Sequence, residues 1–562
     1  MRSKLMIVFF LSMTIFLQAW DFETFEEFQQ HINREAKSMM NTDNHATIRA
    51  ERDLRDFNVG DSKTFWRYSF TVMPPTWEQA DATCRAVGEH CYVFVSDEEW
   101  NVNMDQSEVD TILDYLENTT MNGDDFGAIQ MDLEIFGEIP NELDNDEKII
   151  VYYSALGSYN GTMFDGYFSA YNQLTEAEAA TVNPPGHSNE CEMIYMTCYP
   201  LAPAEPIRIS VLSHELQHMI HWGQDANEDT WVDEGMAELA MVHFGMPDPI
   251  NTFNGNANYS LNMWDQQWKD YVKVLLFFTY LDEQVNNSEN FIADVVAEPL
   301  NGIAGIRAQL EELNYPLPFE EIFLNWTIAN YLDEADIYDG NYHYDALELP
   351  NFYYNSFYNS FPDDETASVE PWATRYVLIN NENLVIANLE VDQQVDVALL
   401  SLSTETGSNV EKYTISENVT IEIPALIAPY TSHVLVLANG NDSELGYTLE
   451  ISEEVSVGEN ILGENNSFNL ANYPNPFSLG KQGRATTISF NLDAAAGQQM
   501  EMGIYNSKGQ KIRSFKQNEF IERNHVIWNG TDDNKQVVTS GVYFCKIKAG
   551  SKTEISKIML MK

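Results

Sequence analysis

Two histidines and a glutamate lie close together in the segment Ser213-His214-Glu215-Leu216-Gln217-His218. Apolar residues on both sides predict that this segment belongs to a helix packed in a core. Residues i and i+4 share one face of a helix, so His214 and His218 present two imidazoles to one point. Two zinc ligands need this arrangement. Glu215 would lie beside the ion and take a proton from zinc-bound water. A surface helix with two capping or paired histidines is the alternative.

A catalytic zinc keeps three protein ligands and one open position, so a third ligand is required. The polar segment 223–229 ends the first helix, and a second helix is predicted from Trp231 to about Phe244. Glu234, sixteen positions after His218, can supply the missing carboxylate from this second helix. Glu238 lies one turn further on the same face. It can accept a hydrogen bond from the far nitrogen of a ligating histidine.

The segments HELQHMIHW and TWVDEGMAELA resemble the glutamate-zincin metallopeptidases, and most of all the hyicolysin-type secreted peptidases. The resemblance implies that His214, His218 and Glu234 bind zinc and that Glu215 is the catalytic base. The spacing to the third ligand is slightly shorter than in the aminopeptidase and thermolysin groups. The implied activity is that of a secreted zinc endopeptidase, and the implied partner is a protein or peptide substrate.

A further part of the resemblance lies at Asp270-Tyr271-Val272-Lys273, where aminopeptidase-like relatives have Tyr-x-Lys-Gly. In those relatives a tyrosine near the zinc hydrogen-bonds the developing oxyanion, and the resemblance implies this role for Tyr271. Val274 stands where the relatives have glycine, and a tyrosine at the edge of a core is the alternative. The Gly-x-Met-Glu-Asn loop that grips a free amino terminus is missing from the sequence, which favours an endopeptidase.

The composition bounds the class of protein. A chain of 562 residues is expected to form three or four domains, and 44% hydrophobic residues exclude global disorder. With 87 acidic and 30 basic residues the net charge is −57, which argues against nucleic acid as a partner because phosphates would be repelled. The acidic excess fits an extracellular surface, including one that binds calcium.

The first residues predict export. A positively charged start at 1–4 precedes an apolar run at 5–17 and a small residue, Ala19, so residues 1–19 are predicted to be a signal peptide. No other apolar stretch is long enough to span a membrane, so the mature chain is expected to have no transmembrane segment. Residues 20–58 have apolar side chains at helical spacing. They are either a short propeptide or an N-terminal helix packed on the catalytic domain.

The five cysteines include two local pairs. Six residues separate Cys84 from Cys91, and six separate Cys191 from Cys198. In an exported chain these pairs predict two small disulfide loops, and the spacing disfavours a second zinc site. Cys545 is left over and is predicted to be a buried free thiol on a strand.

The predicted fold class is an α+β zincin-like metallopeptidase domain followed by two all-β sandwich domains. Strand and helix patterns at 59–345 form the metallopeptidase domain, and the edge strand of its sheet can pair with an extended substrate. Short strands at 365–452 predict an accessory β-sandwich. Residues 453–470 form a linker whose Glu, Gly and Asn content suits flexibility. Residues 471–562 predict the second sandwich, with an Ig-like fold.

The C-terminal module has a sequence of its own, with YPNPF, IYN, WNG and SGVYF in that order from Tyr473 to Phe544. It is similar to the C-terminal sorting domains of the type IX secretion system of Bacteroidota-related bacteria. The resemblance implies that the secretion machinery is a partner and that the chain is secreted or attached to the outer cell surface. An ordinary adhesive Ig-like domain is the alternative. From Ala471 to Lys562 there are 13 basic and 7 acidic residues, a net charge of +6, unlike the acidic remainder.

A different class of function stays open. The acidic surface, the accessory sandwiches and the tyrosine-rich connector at 338–361 also fit a catalytically inactive cell-surface adhesin. Such a protein, or a glycan-binding protein, would use a metallopeptidase-like domain as a scaffold.

Overall fold

The computed structural model describes residues 22, 24–40, 56–141, 143–144, 146–285, 290–453, 470–473, 475, 477–478, 485–490, 500–506, 508–516, 525–549 and 552–561. The predicted signal peptide at 1–19 lies outside these residues, and so do residues 454–469 of the predicted linker. The chain divides into two compact units, residues 1–248 with 290–305 and residues 249–289 with 306–562. This division falls within the domain predicted at 59–345.

The first unit contains a six-stranded mixed sheet with the strand order β1-β2-β3-β4-β8-β7. The strands of this unit are β1 (Ser62–Ser69), β2 (Thr76–Val87), β3 (Cys91–Ser96), β4 (Ile149–Ser154), β5 (Ser158–Tyr159), β6 (Thr162–Met163), β7 (Gly166–Phe168) and β8 (Met193–Thr197). The pairs β3–β4 and β4–β8 are parallel, whereas β7 pairs antiparallel with β8 at the edge of the sheet. Every residue of β3, β4 and β8 is buried, as expected for the centre of a sheet covered on both faces.

The described helices are α1 (Phe25–Met40), α2 (Gln106–Glu117), α3 (Ala128–Phe136), α4 (Glu176–Ala179), α5 (Pro206–Gln224), α6 (Thr230–Phe244), α7 (Trp268–Val285), α8 (Phe291–Val296), α9 (Ile303–Glu312) and α10 (Phe319–Leu332). Both predicted site helices are therefore present, as α5 and α6. Pro206 opens α5, where its missing N–H would have no helical partner. Gly245 ends α6 with a φ of 89°, a conformation that favours glycine. α5 packs against α6, α3, β7 and β8.

A two-sheet β domain follows in the second unit. Its strands are β9 (Ser356–Tyr358), β10 (Asp363–Val369), β11 (Ala373–Ile379), β12 (Val385–Val391), β13 (Val395–Leu402), β14 (Asn409–Ile415), β15 (Val419–Ile423), β16 (Ser432–Asn439) and β17 (Leu445–Glu453). They form one sheet in the order β10-β17-β12-β15 and another in the order β14-β13-β16-β11-β9. Side chains from both sheets share one apolar core. The first strand, β9, lies before residue 365, where the sequence predicted this domain to begin. A strand of three residues is too short to leave a clear sequence pattern.

The C-terminal module is also built from strands: β18 (Ala471–Tyr473), β19 (Phe477–Ser478), β20 (Thr486–Ser489), β21 (Met500–Asn506), β22 (Lys511–Phe515), β23 (His525–Trp528), β24 (Gly541–Ala549) and β25 (Lys552–Met561). They form two sheets, β18-β20-β23 and β19-β25-β24-β21-β22, with one apolar core. Cys545 is a buried free thiol on β24, as predicted.

The two predicted disulfides are wrong, because all five cysteines are free and buried. Cys84 lies on β2 opposite Phe94, so Cys91 on β3 is about 10 Å away along the ladder. Cys191 precedes the extended strand β8 and Cys198 follows it, which places them about 20 Å apart at its two ends. A disulfide needs Cα atoms about 4.4–6.8 Å apart. Equal spacing in sequence therefore does not bring either pair together.

Residues 20–58 contribute one described helix, α1, with Phe25, Phe28, Ile32 and Ala36 buried along one face. Residues 41–55 lie outside the described residues. Among the helices that the structure describes, none has the length and apolar character needed to cross a bilayer.

Candidate metal centre

The facing sides of α5 and α6 bring the three predicted ligands together. Nε2 of His214 and Nε2 of His218 are 3.1 Å apart. Oε2 of Glu234 lies 3.5 Å from the first nitrogen and 3.8 Å from the second. The point equidistant from these three atoms is about 2 Å from each, which matches zinc–nitrogen and zinc–oxygen bond lengths. The donor set therefore fits a zinc ion, and its role as a ligand set stays a prediction.

Each imidazole has a carboxylate of α6 next to its Nδ1 atom. Oε1 of Glu238 lies 3.4 Å from Nδ1 of His214. Oδ1 of Asp233 lies 3.2 Å from Nδ1 of His218. A carboxylate at Nδ1 favours the tautomer whose proton is on Nδ1, which leaves the Nε2 lone pair for a metal. Both rings are thus oriented toward the same point.

Asp233 is a site residue that the sequence reasoning missed. Its Oδ1 atom also lies 3.1 Å from Nδ1 of His221. Burial would raise the pKa of Asp233, but His218 and His221 hold it well below its usual range. The available signal was its position in the sequence: Asp233 directly precedes Glu234, in the first turn of the helix that faces the two histidines.

The cluster is mostly buried, and its carboxylates favour the protonated, positively charged form of both imidazoles. The side chains of His214, His218 and Glu234 are 12%, 15% and 10% exposed. Burial alone would lower the pKa of His214, but Glu234 and Glu238 raise it well above its ordinary value. Burial also acts to lower the pKa of His218, whereas mainly Asp233 raises it to about 9. A divalent cation would compete with these protons for the same nitrogens.

Glu215 is fixed by the edge strand of the sheet. The side chain is nearly buried, and the N–H of Phe168, the last residue of β7, donates to its Oε2 at 3.1 Å. A Cβ at Gly166 would come within 2.9 Å of Cγ of Glu215, so glycine allows β7 to approach α5 this closely. Burial raises the pKa of Glu215. A raised pKa is the direction that makes a carboxylate a better proton acceptor near neutral pH.

A buried carboxyl group supports the turn of α5 that carries His214. The hydroxyl of Ser213 contacts both oxygens of Asp132, at 2.8 and 2.9 Å, and Asp132 on α3 is fully buried. Burial raises the pKa of Asp132 well above its usual value. The sequence reasoning missed this contact, although an aspartate within the apolar helix α3 was a visible signal.

Tyr271 lies on α7, in the second unit. Its ring centroid is 4.9 Å from that of Trp264 and 6.2 Å from that of Trp268. Next to it, Nζ of the buried Lys273 lies 2.6 Å from Oδ1 of Asp270. The oxyanion role of Tyr271 stays a prediction.

Two parts of the chain match known families. Residues 204–298 match a family described as a peptidase of plants and bacteria. This segment contains α5 and α6, and therefore every residue of the cluster. Residues 471–561 match the secretion system C-terminal sorting domain. Curated proteins give no match to the chain.

Two solved structures illustrate the similarity to known folds, both at low identity. PorZ, a bacterial surface component of the type-IX secretion system of Porphyromonas gingivalis, is 13% identical, with 29% of this chain and 22% of that chain covered and a TM-score of 0.15. The adhesin domain of Epf from Streptococcus pyogenes is 12% identical, with 35% and 78% covered and a TM-score of 0.13. Scores this low carry no argument about fold or function. The chain contains a region similar to a peptidase family of plants and bacteria and ends in a type IX secretion sorting domain, and it is secreted or attached to the cell surface through the secretion machinery.

Proposed function

We propose that the chain is a secreted zinc-dependent endopeptidase of the glutamate-zincin type, similar to the hyicolysin group. The observation that carries this proposal is the convergence of His214, His218 and Glu234 on a point about 2 Å from each donor atom. The match of residues 204–298 to a peptidase family supports it independently. Calcium binding rests on the acidic composition alone.

The proposed chemistry divides among residues of this chain. A zinc ion held by His214, His218 and Glu234 would supply Lewis acidity and lower the pKa of water at the site. Glu215 takes a proton from the attacking water and later delivers it to the leaving amine. The N–H of Phe168 keeps the Glu215 carboxylate in one orientation during both transfers. Tyr271 is the proposed hydrogen-bond donor to the developing oxyanion.

The proposed substrate is an extended peptide that pairs with β7. An edge strand offers backbone N–H and C=O groups to a further strand. β7 is at the edge of the sheet and ends at Phe168, whose N–H holds Glu215. A peptide paired along β7 would thus bring its backbone past the proposed base.

We also propose that the fold class is an α+β zincin-like domain followed by two β-sandwiches. The mixed sheet beside α5, with β7 at its edge, supports the first assignment. Two sheets around one core at Ser356–Glu453, and again within residues 471–561, support the second.

The test compares Glu215→Gln with Glu205→Gln, a matched change at an exposed residue just before α5. Zinc content should equal that of the unchanged protein in both variants, because neither residue is a proposed ligand. Hydrolysis of a quenched fluorescent peptide should fall by about 10²–10⁴-fold in Glu215→Gln only. Full activity of Glu215→Gln would contradict the proposal. A chain that retains no zinc and cleaves no peptide would instead fit the inactive adhesin or glycan-binding alternative.

A further inference from the structure

Helix α1 is anchored to the first unit by one apolar face. The buried residues of this face are Phe25, Phe28, Ile32 and Ala36. The ring centroid of Phe25 lies 5.0 Å from that of Phe70, 5.1 Å from that of Phe164 and 6.0 Å from that of Tyr167. This packing gives α1 a defined position on the domain that carries the metal centre.

The polar side of α1 contacts the edge strand β7 and the first residue of α6. The side-chain amide of Gln29 donates to the carbonyl oxygen of Phe168, at the end of the edge strand β7. The amide of Gln30 donates to the hydroxyl of Thr230, the first residue of α6. The N–H of Phe168 meanwhile holds Glu215. Gln29 of α1 therefore occupies the carbonyl oxygen of Phe168, the residue whose N–H holds the proposed base Glu215.

A charged contact fixes the other end of α1. Nζ of Lys37 donates to the carbonyl oxygens of Trp222 and Gly223, at 3.3 and 2.7 Å. These carbonyls lie in the last turn of α5, where helical acceptors lack partners and the helix dipole favours a cation. Nε1 of Trp222 donates in return to the carbonyl oxygen of Asn33 at 3.1 Å.

α1 also forms one wall of the cleft beside the cluster. Gln30, Asn33 and Arg34 line this cleft together with His218 and Asp233.

We propose that α1 is an autoinhibitory segment, which in its docked position occupies the place along β7 and beside His218 that an extended peptide requires. Displacement of α1 opens the metal centre and activates the peptidase. The inference rests on the proposed endopeptidase function and adds its regulation. It corresponds to the propeptide alternative for residues 20–58, and the test below distinguishes it from a purely structural helix.

The test uses the zinc-loaded full chain with two loosening variants. Ile32→Ala weakens the apolar anchor, and Lys37→Gln removes the cation from the end of α5 without changing the core. Ser38→Ala, at an exposed position of the same helix, is the control. One readout is kcat/KM on a quenched peptide, and the other is the rate at which 1,10-phenanthroline extracts zinc. Both should rise about tenfold in the two loosening variants and stay unchanged in the control.

A synthetic peptide of residues 22–40, added to Ile32→Ala, should lower both rates again. Unchanged kcat/KM and unchanged zinc extraction in Lys37→Gln, whose core is intact, would overturn the inference. Lower activity at unchanged zinc extraction would also overturn it, because α1 would then be a structural part of the active enzyme. Faster zinc extraction without peptide cleavage by any variant would support the covering role of α1 and contradict the endopeptidase function.

Discussion

The carboxylate of Asp233 lies 3.2 Å from Nδ1 of His218, on the side of the imidazole opposite to the Nε2 atom that faces Glu234. Asp233 and Glu234, adjacent residues of α6, thus lie next to the two nitrogens of the His218 ring. Glu234 is the proposed ligand partner, and Asp233 orients the ring. Glu238 contacts Nδ1 of His214 in the same way. The second helix therefore supplies both a proposed ligand and the groups that orient the other two.

Asp233→Asn should lower the affinity for zinc by about 10–100-fold, because the amide is a weaker acceptor for the Nδ1 proton of His218. Competition with a chromophoric chelator measures this affinity. Asp229→Asn is the matched control, since Asp229 is exposed, precedes the same helix and makes no capping hydrogen bond through its side chain. Equal zinc affinities of the two variants would rule out the orienting role of Asp233.

Ser213→Ala should lower the free energy of unfolding by about 1–3 kcal/mol, because it leaves the buried Asp132 carboxyl group without its donor. Ser210→Ala on the same buried helix removes only a hydrogen bond to the carbonyl oxygen of Met246, at 2.8 Å, and should cost about 1 kcal/mol. Denaturant unfolding compares the two variants. A larger loss for Ser210→Ala than for Ser213→Ala would contradict the supporting role of Asp132.

The stability of the protein should depend on pH through Glu228. Burial raises the pKa of Glu228 from 4.5 to about 7, although the N–H of Gly302 donates to its carboxylate. The folded protein therefore holds a proton between these pH values that the unfolded chain releases. This contribution favours folding at low pH and is lost as the pH rises toward 7.

Glu228→Gln should abolish that dependence. The unchanged protein should become less stable relative to Glu228→Gln by about 1–2 kcal/mol between pH 5 and pH 8, since the group is half-buried and partly screened. Thermal unfolding at both pH values provides the measurement, with Glu205→Gln as the control. A stability difference between the protein and Glu228→Gln that is the same at pH 5 and pH 8 would refute the assignment.

All five thiols should be present without any reductant. Ellman's reagent should titrate about five thiols per chain in denaturant and almost none in the folded protein, because every cysteine is buried. A single thiol per chain in denaturant would contradict this expectation and would show that the two disulfides indicated by the cysteine spacing are formed.

The local parts of the site could be predicted from the sequence, whereas its distant contacts could not. His214 and His218 share a face because the helical repeat fixes their relation. Ser213 and Asp132 are 81 positions apart, and Lys37 and Trp222 are 185 apart. Such pairs leave no periodic pattern, so only the folded chain reveals them.

Strand patterns showed the same limit. The centre of the sheet is visible in the sequence, because β3, β4 and β8 are continuous runs of mostly apolar residues. β2 leaves a weaker sequence pattern, since most of its first half is exposed and only its second half alternates. The cysteine pairs misled for a related reason, because spacing does not reveal whether the chain turns back or stays extended.

The central claim is that His214, His218 and Glu234 together hold one zinc ion. The most direct measurement is the zinc content, by elemental analysis, of the purified full chain and of Glu234→Ala, with Glu205→Gln as the control. The unchanged protein and the control should retain about one zinc per chain, and Glu234→Ala should lose most of it after dialysis. An unchanged protein without zinc, or a Glu234→Ala variant that keeps a full equivalent, would contradict the claim.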